Sequence, residues 1–177
     1  VSFDGLWAGW RSAYVGSVSH QDNPDGTPIA DPSSEAECVF CRILNDTSGD
    51  ADRGVVATTS LSVAILNAFP YASGHLLVMP RRHVSEIEDL SAGESTDLWA
   101  LAQRGVAAVK RAYAPDGMNL GANLGRAAGA GIPRHLHLHV VPRWIGDTNF
   151  MTSVASVRVL PEPLDRTWEK LHAAWSP

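Results

Sequence analysis

Apolar and polar residues alternate most regularly over residues 135–142, where His135, His137 and His139 interleave with Leu136, Leu138 and Val140 ahead of Pro142. A period of two is that of a β-strand, in which residues two apart share a face. The three imidazoles therefore share one face, and the aliphatic side chains point the other way, into the core. Upstream, residues 55–59 and 62–67 are short β-branched runs flanking a turn near Ser60, and they predict a hairpin. Residues 67–74 are rich in turn formers, and residues 75–80 read as an apolar strand stopped by Pro80. Residues 118–124 alternate weakly and predict a further strand, and residues 154–159 a last edge strand.

The helical period appears twice. Ser91-Ala92-Gly93-Glu94 is a capping box, in which the Ser hydroxyl and the Glu carboxylate satisfy backbone N–H groups at the start of a helix. From there to about Tyr113, Leu98, Leu101, Ala102, Gly105, Val106 and Val109 recur at three- and four-residue spacing, one stripe to pack on a sheet. Lys110 and Arg111 suit the negative end of this helix. Leu164, Trp168, Leu171 and Trp175 set a second packing helix over residues 163–175. Residues 2–15 carry Phe3, Leu6, Trp7, Trp10 and Tyr14, an aromatic entry segment suited to packing on this core or on a second subunit. Residues 17–37 are rich in Ser, Asp, Pro and Gly and read as a linker. The elements add up to an α+β chain, a mainly antiparallel sheet with one long helix.

Three histidines on one strand face require a use, because a core strand would place Val or Ile there and a buried polar ring must find partners. Two kinds of site fit: a metal held by imidazoles, or a neutral imidazole attacking a phosphorus or carbonyl centre. The metallohydrolase pattern H-x-H-x-D-H is absent, since Val140 and Val141 follow His139. Just upstream, residues 125–133 form a small-residue loop in which Gly125, Gly129 and Gly131 let backbone N–H groups turn toward an anion. Placed directly before the histidines, this loop is a candidate phosphate cradle.

Cys38-Val39-Phe40-Cys41 is a second motif. The two cysteines are too close for an ordinary disulfide framework, and Cys-x-x-Cys points to metal binding or redox chemistry. A thioredoxin-like site would need a strand before the pair, and residues 33–37 do not supply one.

The His135-Leu-His137-Leu-His139-Val-Val run matches the H-φ-H-φ-H-φ-φ signature of the histidine triad (HIT) family of nucleotidyl hydrolases and transferases. The chain most resembles the bacterial branch containing diadenosine tetraphosphate phosphorylase-like proteins, through residues 6–11, 38–41, 67–80 and 117–150. The resemblance implies a HIT-like fold with a five-stranded sheet, paired into a homodimer, and an adenosine nucleotide as substrate. It implies His137 as nucleophile, His139 as the donor that steadies the phosphate, and Asn67 as a ribose contact. Asn123-x-Gly125 matches a segment whose amide lies near the phosphates. Some members carry zinc on such a Cys pair and two His, which match Cys38, Cys41, His83 and His135. Where zinc is absent, His135 would serve the leaving group. Trp144 either borders the nucleotide pocket or fills a dimer interface. Many members place a hydroxyl near Gly131, whereas Ala130-Gly131-Ile132 has none, so phosphate contact there would rest on backbone. His75, at the start of the apolar strand, reads as a sheet-packing histidine. Hydrolysis of adenosine phosphoramidate and non-catalytic nucleotide binding are the alternative activities.

The domain scheme that follows is an arm and linker over 1–37, a HIT domain over 38–150 and a C-terminal extension over 151–177. Apolar residues make up 45% of the 177, enough for a core, and the net charge of −5 argues against a nucleic-acid polymer as main partner. No apolar run is long enough to span a membrane and no export signal is visible, so the cytoplasm is the expected compartment.

Overall fold

The computed structural model describes residues 38–147 and 162–175. The aromatic segment at 2–15, the linker at 17–37 and the strand expected at 154–159 lie outside these residues. In chain order the elements are α1 (Val39–Asn45), α2 (Asp50–Arg53), β1 (Val55–Thr58), β2 (Ser62–Leu66), β3 (Leu76–Pro80), α3 (Ala92–Tyr113), β4 (Gly117–Ala122), β5 (Leu138–Arg143) and α4 (Leu164–Trp175). The strands form one antiparallel sheet in the order β1-β2-β3-β5-β4. The expected hairpin, the Pro-terminated strand and both packing helices are all present.

Every residue of β2 and β3 is buried, because both faces of the sheet are covered. On one face Ala64, Leu66, Leu76, Val78, Leu138 and Val140 meet Leu98, Leu101, Ala102, Ala108 and Val109 of α3, with Leu171 and Trp175 of α4 in the same cluster. On the other face Val63, Ile65, Leu77 and Met79 pack against Cys38, Phe40 and Cys41. Gly105 of α3 faces Leu76 and Trp175, which a Cβ there would meet at 3.5 Å, an ordinary packing contact.

The capping box at the start of α3 is complete. Ser91 Oγ accepts the Glu94 N–H at 3.2 Å, and Glu94 accepts the Ser91 N–H at 2.9 Å. Arg82, just past β3, forks onto the same carboxylate at 2.7 and 3.0 Å, tying the strand end to the helix start. The Arg82 guanidinium, with the Ser91 N–H, holds the Glu94 carboxyl down at about 2, against an ordinary value near 4.5. A carboxyl lowered in the folded state stabilises it above the unfolded-state value, and that contribution fades as pH falls from about 4.5 toward 2. The thermal midpoint of the wild type should therefore exceed that of Glu94→Gln at pH 7, and the gap should close on acidification to pH 2; an unchanged gap would remove this linkage.

Gly74 precedes β3 in the left-handed region (φ +85°), and a Cβ there would lie 2.9 Å from the Tyr113 ring. Gly74→Ala should cost about 1–3 kcal/mol in denaturant unfolding, since both backbone and space oppose it.

The histidine run departs from the expected strand. The β5 ladder starts only at Leu138, and residues 135–137 approach it off the sheet. The reason is local: the Leu136 N–H donates to Val84 O at 2.7 Å, and His135 Nε2 lies 2.9 Å from Pro80 O, so this stretch bonds to the segment after β3 instead of continuing the ladder. The face relation survives, with Leu136, Leu138 and Val140 in the α3-side core.

Candidate active site and metal centre

β3 and β5 place the chemistry. Leu77 pairs with His139, so His139 takes the sheet face opposite α3, the face on which His75 also lies two residues before Leu77. α1 covers that face: Phe40 meets the His135 ring edge-on at 5.5 Å and the His137 ring at 5.2 Å. His135 and His137 are thus buried behind α1 and do not line an open strand face.

The three histidines are held in different ways. His137 Nδ1 lies 2.8 Å from the His135 carbonyl. A carbonyl can only accept, so Nδ1 carries the proton and the Nε2 lone pair is left for chemistry. Burial lowers the His137 pKa, which keeps the ring neutral. His135 has the reverse orientation: its Nε2–H donates to Pro80 O, which leaves the Nδ1 lone pair 3.5 Å from Cys38 Sγ and 3.6 Å from Cys41 Sγ. Burial, above all, drops its pKa to about 4.

His139 belongs to a second cluster. The Tyr71 N–H donates to His75 Nδ1 at 3.0 Å, and Asn67 Nδ2 lies 3.3 Å from the same nitrogen. His75 Nε2 must then carry the proton it shares with His139 Nδ1 at 3.0 Å. A neutral His139 consequently holds its own proton on Nε2, as a donor. His75 is therefore a partner of the triad, which corrects its reading as a mere sheet-packing residue. The signal was its odd-numbered position with Leu77 and Met79, usable only once β3 is known to pair with β5.

Cys38, Cys41, His83 and His135 form a further group whose donor atoms all lie within 4.8 Å of one another. Cys41 Sγ is 3.3 Å from His83 Nδ1, and neither cysteine is in a disulfide. Tetrahedral zinc with two sulfur and two nitrogen ligands would hold sulfur and nitrogen about 3.6 Å apart. The observed 3.3–3.6 Å fits that donor set. The Pro80 carbonyl fixes the His135 tautomer as an outer-sphere partner of a metal ligand does. These four residues can hold a metal ion.

The remaining residues read from the sequence follow β4, whose Gly121 and Ala122 pair with His139 and Leu138. Asn123 follows β4 and Nδ2 reaches Gly129 O at 3.4 Å, bracing the small-residue loop. Gly125 and Gly129 both have positive φ, and the Ala130 N–H closes back on Gly125 O at 3.3 Å. Gly131 continues the loop toward His135. Trp144 lies five residues past His139, just beyond β5. Its ring meets Tyr113 edge-on at 6.5 Å.

This arrangement can be set beside known proteins. The profile of the HIT domain matches residues 48–144. The chain belongs to the HIT domain family. It is 40% identical over 173 residues to the AP-4-A phosphorylase of Mycobacterium tuberculosis, covering 97% of this chain and 84% of that one. It is 41% identical over 86 residues to the bis(5'-adenosyl)-triphosphatase of Dictyostelium discoideum, covering 49% and 57%. A zinc-bound histidine triad family protein from Mycobacterium smegmatis superposes with a TM-score of 0.65 at 29% identity, over 80% of this chain and 95% of that one. The family assignment agrees with the resemblance read from the triad, and the five-stranded sheet is the expected one. Among the described residues, no helix is long and apolar enough to cross a membrane.

Proposed function

We propose that this HIT family chain is a nucleotidyl hydrolase or transferase that cleaves dinucleoside polyphosphates at an α-phosphate, with His137 as nucleophile. The observation that carries the reading is the 2.8 Å bond from His137 Nδ1 to the His135 carbonyl. It leaves a neutral imidazole with its Nε2 lone pair available, which suits nucleophilic attack at neutral pH. In the first step the lone pair forms a bond to the α-phosphorus, the bond to the bridging oxygen breaks, and the electron pair departs on the leaving polyphosphate. In the second, an acceptor oxygen bonds the same phosphorus, and the P–N electron pair returns to His137. His139, a donor through Nε2, hydrogen-bonds the phosphate in both steps and steadies charge. Asn67 would contact the ribose. Asn123 and backbone N–H groups of Gly125, Gly129, Ala130 and Gly131 would cradle the phosphates.

Similarity to a phosphorylase over nearly the whole chain favours phosphate as acceptor. Incubation with diadenosine tetraphosphate tests both levels of the proposal. ADP plus ATP, formed only with phosphate present, supports phosphorolysis; AMP plus ATP supports hydrolysis; no cleavage of this or any dinucleoside polyphosphate overturns the reading.

A tris-histidine metal hydrolase is disfavoured, because His135 turns its lone pair to the cysteines while His137 and His139 are held by other partners. Zinc is the metal that suits two thiolates and two imidazoles, and its role would be structural, with Cys38 and Cys41 of the α1 segment tied to His83 and His135. Thiolate ligands suit a reducing compartment, the cytoplasm. A homodimer fits β4, which ends the sheet among the described strands and leaves Leu120 41% exposed. In that arrangement residues 1–37 would form an arm, 38–150 the domain and 151–177 an extension of it, with α4 already part of the core.

A further inference from the structure

Tyr71 lies in the turn between β2 and β3 and touches the site twice. Its backbone N–H sets the His75 tautomer. Its ring lies nearly parallel to that of His139, 15° between planes and 5.9 Å between centroids, and tilts over His75 at 4.7 Å. The His137 ring also packs on His139, 5.1 Å away at 63°. His139 thus touches both the Tyr71 face and the His137 ring.

We propose that the Tyr71 ring is a positioning residue for the reaction proposed above: it fixes the plane of the His139 imidazole so that the Nε2–H stays aimed at the α-phosphate. The inference rests on that reading for its consequence, but its geometry stands by itself. The hydrogen bond from His75 fixes the place of His139 Nδ1 but not the plane of the ring. The nearly parallel Tyr71 face and the His137 ring packed on His139 restrict that plane. Offset-stacked rings 4.5–7 Å apart attract each other beyond their buried area. The aromatic face also favours any positive charge that His139 gathers as it hydrogen-bonds the phosphate. The ring face and the backbone N–H are the parts of Tyr71 that touch His75 and His139.

The test separates these contributions in the full chain. Tyr71→Leu removes the ring and keeps the backbone N–H to His75; Tyr71→Phe keeps the ring and removes the hydroxyl. Tyr71→Met repeats the first change should the Leu variant fail to fold. On diadenosine tetraphosphate the Leu variant should lose about tenfold in kcat, as misplaced catalytic groups do, while AMP affinity holds and the Phe variant stays near wild type. Imidazole NMR should show His139 protonated at Nε2 in all three proteins, with its ring resonances sharp in the wild type and the Phe variant and exchange-broadened in the Leu variant. Unchanged kcat and sharp His139 resonances in Tyr71→Leu would overturn the proposal, as would a Phe variant as impaired as the Leu one. Wild-type inactivity on every nucleotide would sink the reaction instead, and the NMR spectra, which need no turnover, would still judge Tyr71.

Discussion

Replacing His137 by Asn is expected to reduce turnover of diadenosine tetraphosphate by about 10⁴-fold or more, the scale on which loss of a covalent nucleophile is felt. The fold should persist, because the substitution shortens one buried side chain and leaves α1, the sheet and the cysteine–histidine group in place. AMP should still bind, since the ribose and phosphate contacts proposed above come from other residues. The comparison with His139→Asn is informative. That change removes a donor and leaves the attacking lone pair, so its loss should be smaller, about 10²–10³-fold. Single-turnover mixing with α-labelled substrate and a quench that avoids acid should trap labelled protein in the wild type and none in His137→Asn. A His137→Asn protein that turns over at the wild-type rate would eliminate the nucleotidyl-imidazole.

The second large effect concerns the metal centre. Stripping the protein with a strong chelator, or making Cys38→Ser with Cys41→Ser, should cost at least about 3 kcal/mol, a fraction of what zinc contributes to small zinc domains. For a chain of this size that is a fall in Tm of roughly 6–12 °C. α1 is only seven residues long, and no side chain caps its start at Cys38. A helix that short has little stability of its own and depends on what it packs against. Elemental analysis should find one zinc per chain, and added zinc should restore the lost Tm. Metal-free protein as purified, with a Tm indifferent to chelator, would take the centre out of the account.

These two effects bear on what could be read from the chain. β2, β3 and α3 were legible because their signals are local: β-branched runs, a proline stop, a capping box. The four metal-site residues and the triad were recognisable through the resemblance, and the fold brings each group together. α1 was not legible, because seven residues around two cysteines carry no helical period long enough to recognise, and the segment is ordered by its tertiary contacts. His75 was missed for a different reason. Its role depends on β3 lying beside β5, a pairing between residues 64 positions apart that no local pattern records. The off-ladder path of residues 135–137 has the same origin, since the bonds to Pro80 and Val84 come from a distant turn.

His135 presents its ring to the cysteines and its carbonyl to His137. In a mutational scan such a position would score with the residues that contact nucleotide although its side chain faces away from it. Loss of function at 135 would then report the integrity of a joint, and a family alignment that counts three equivalent histidines would group the two assigned to the proposed reaction with one whose ring faces the cysteines.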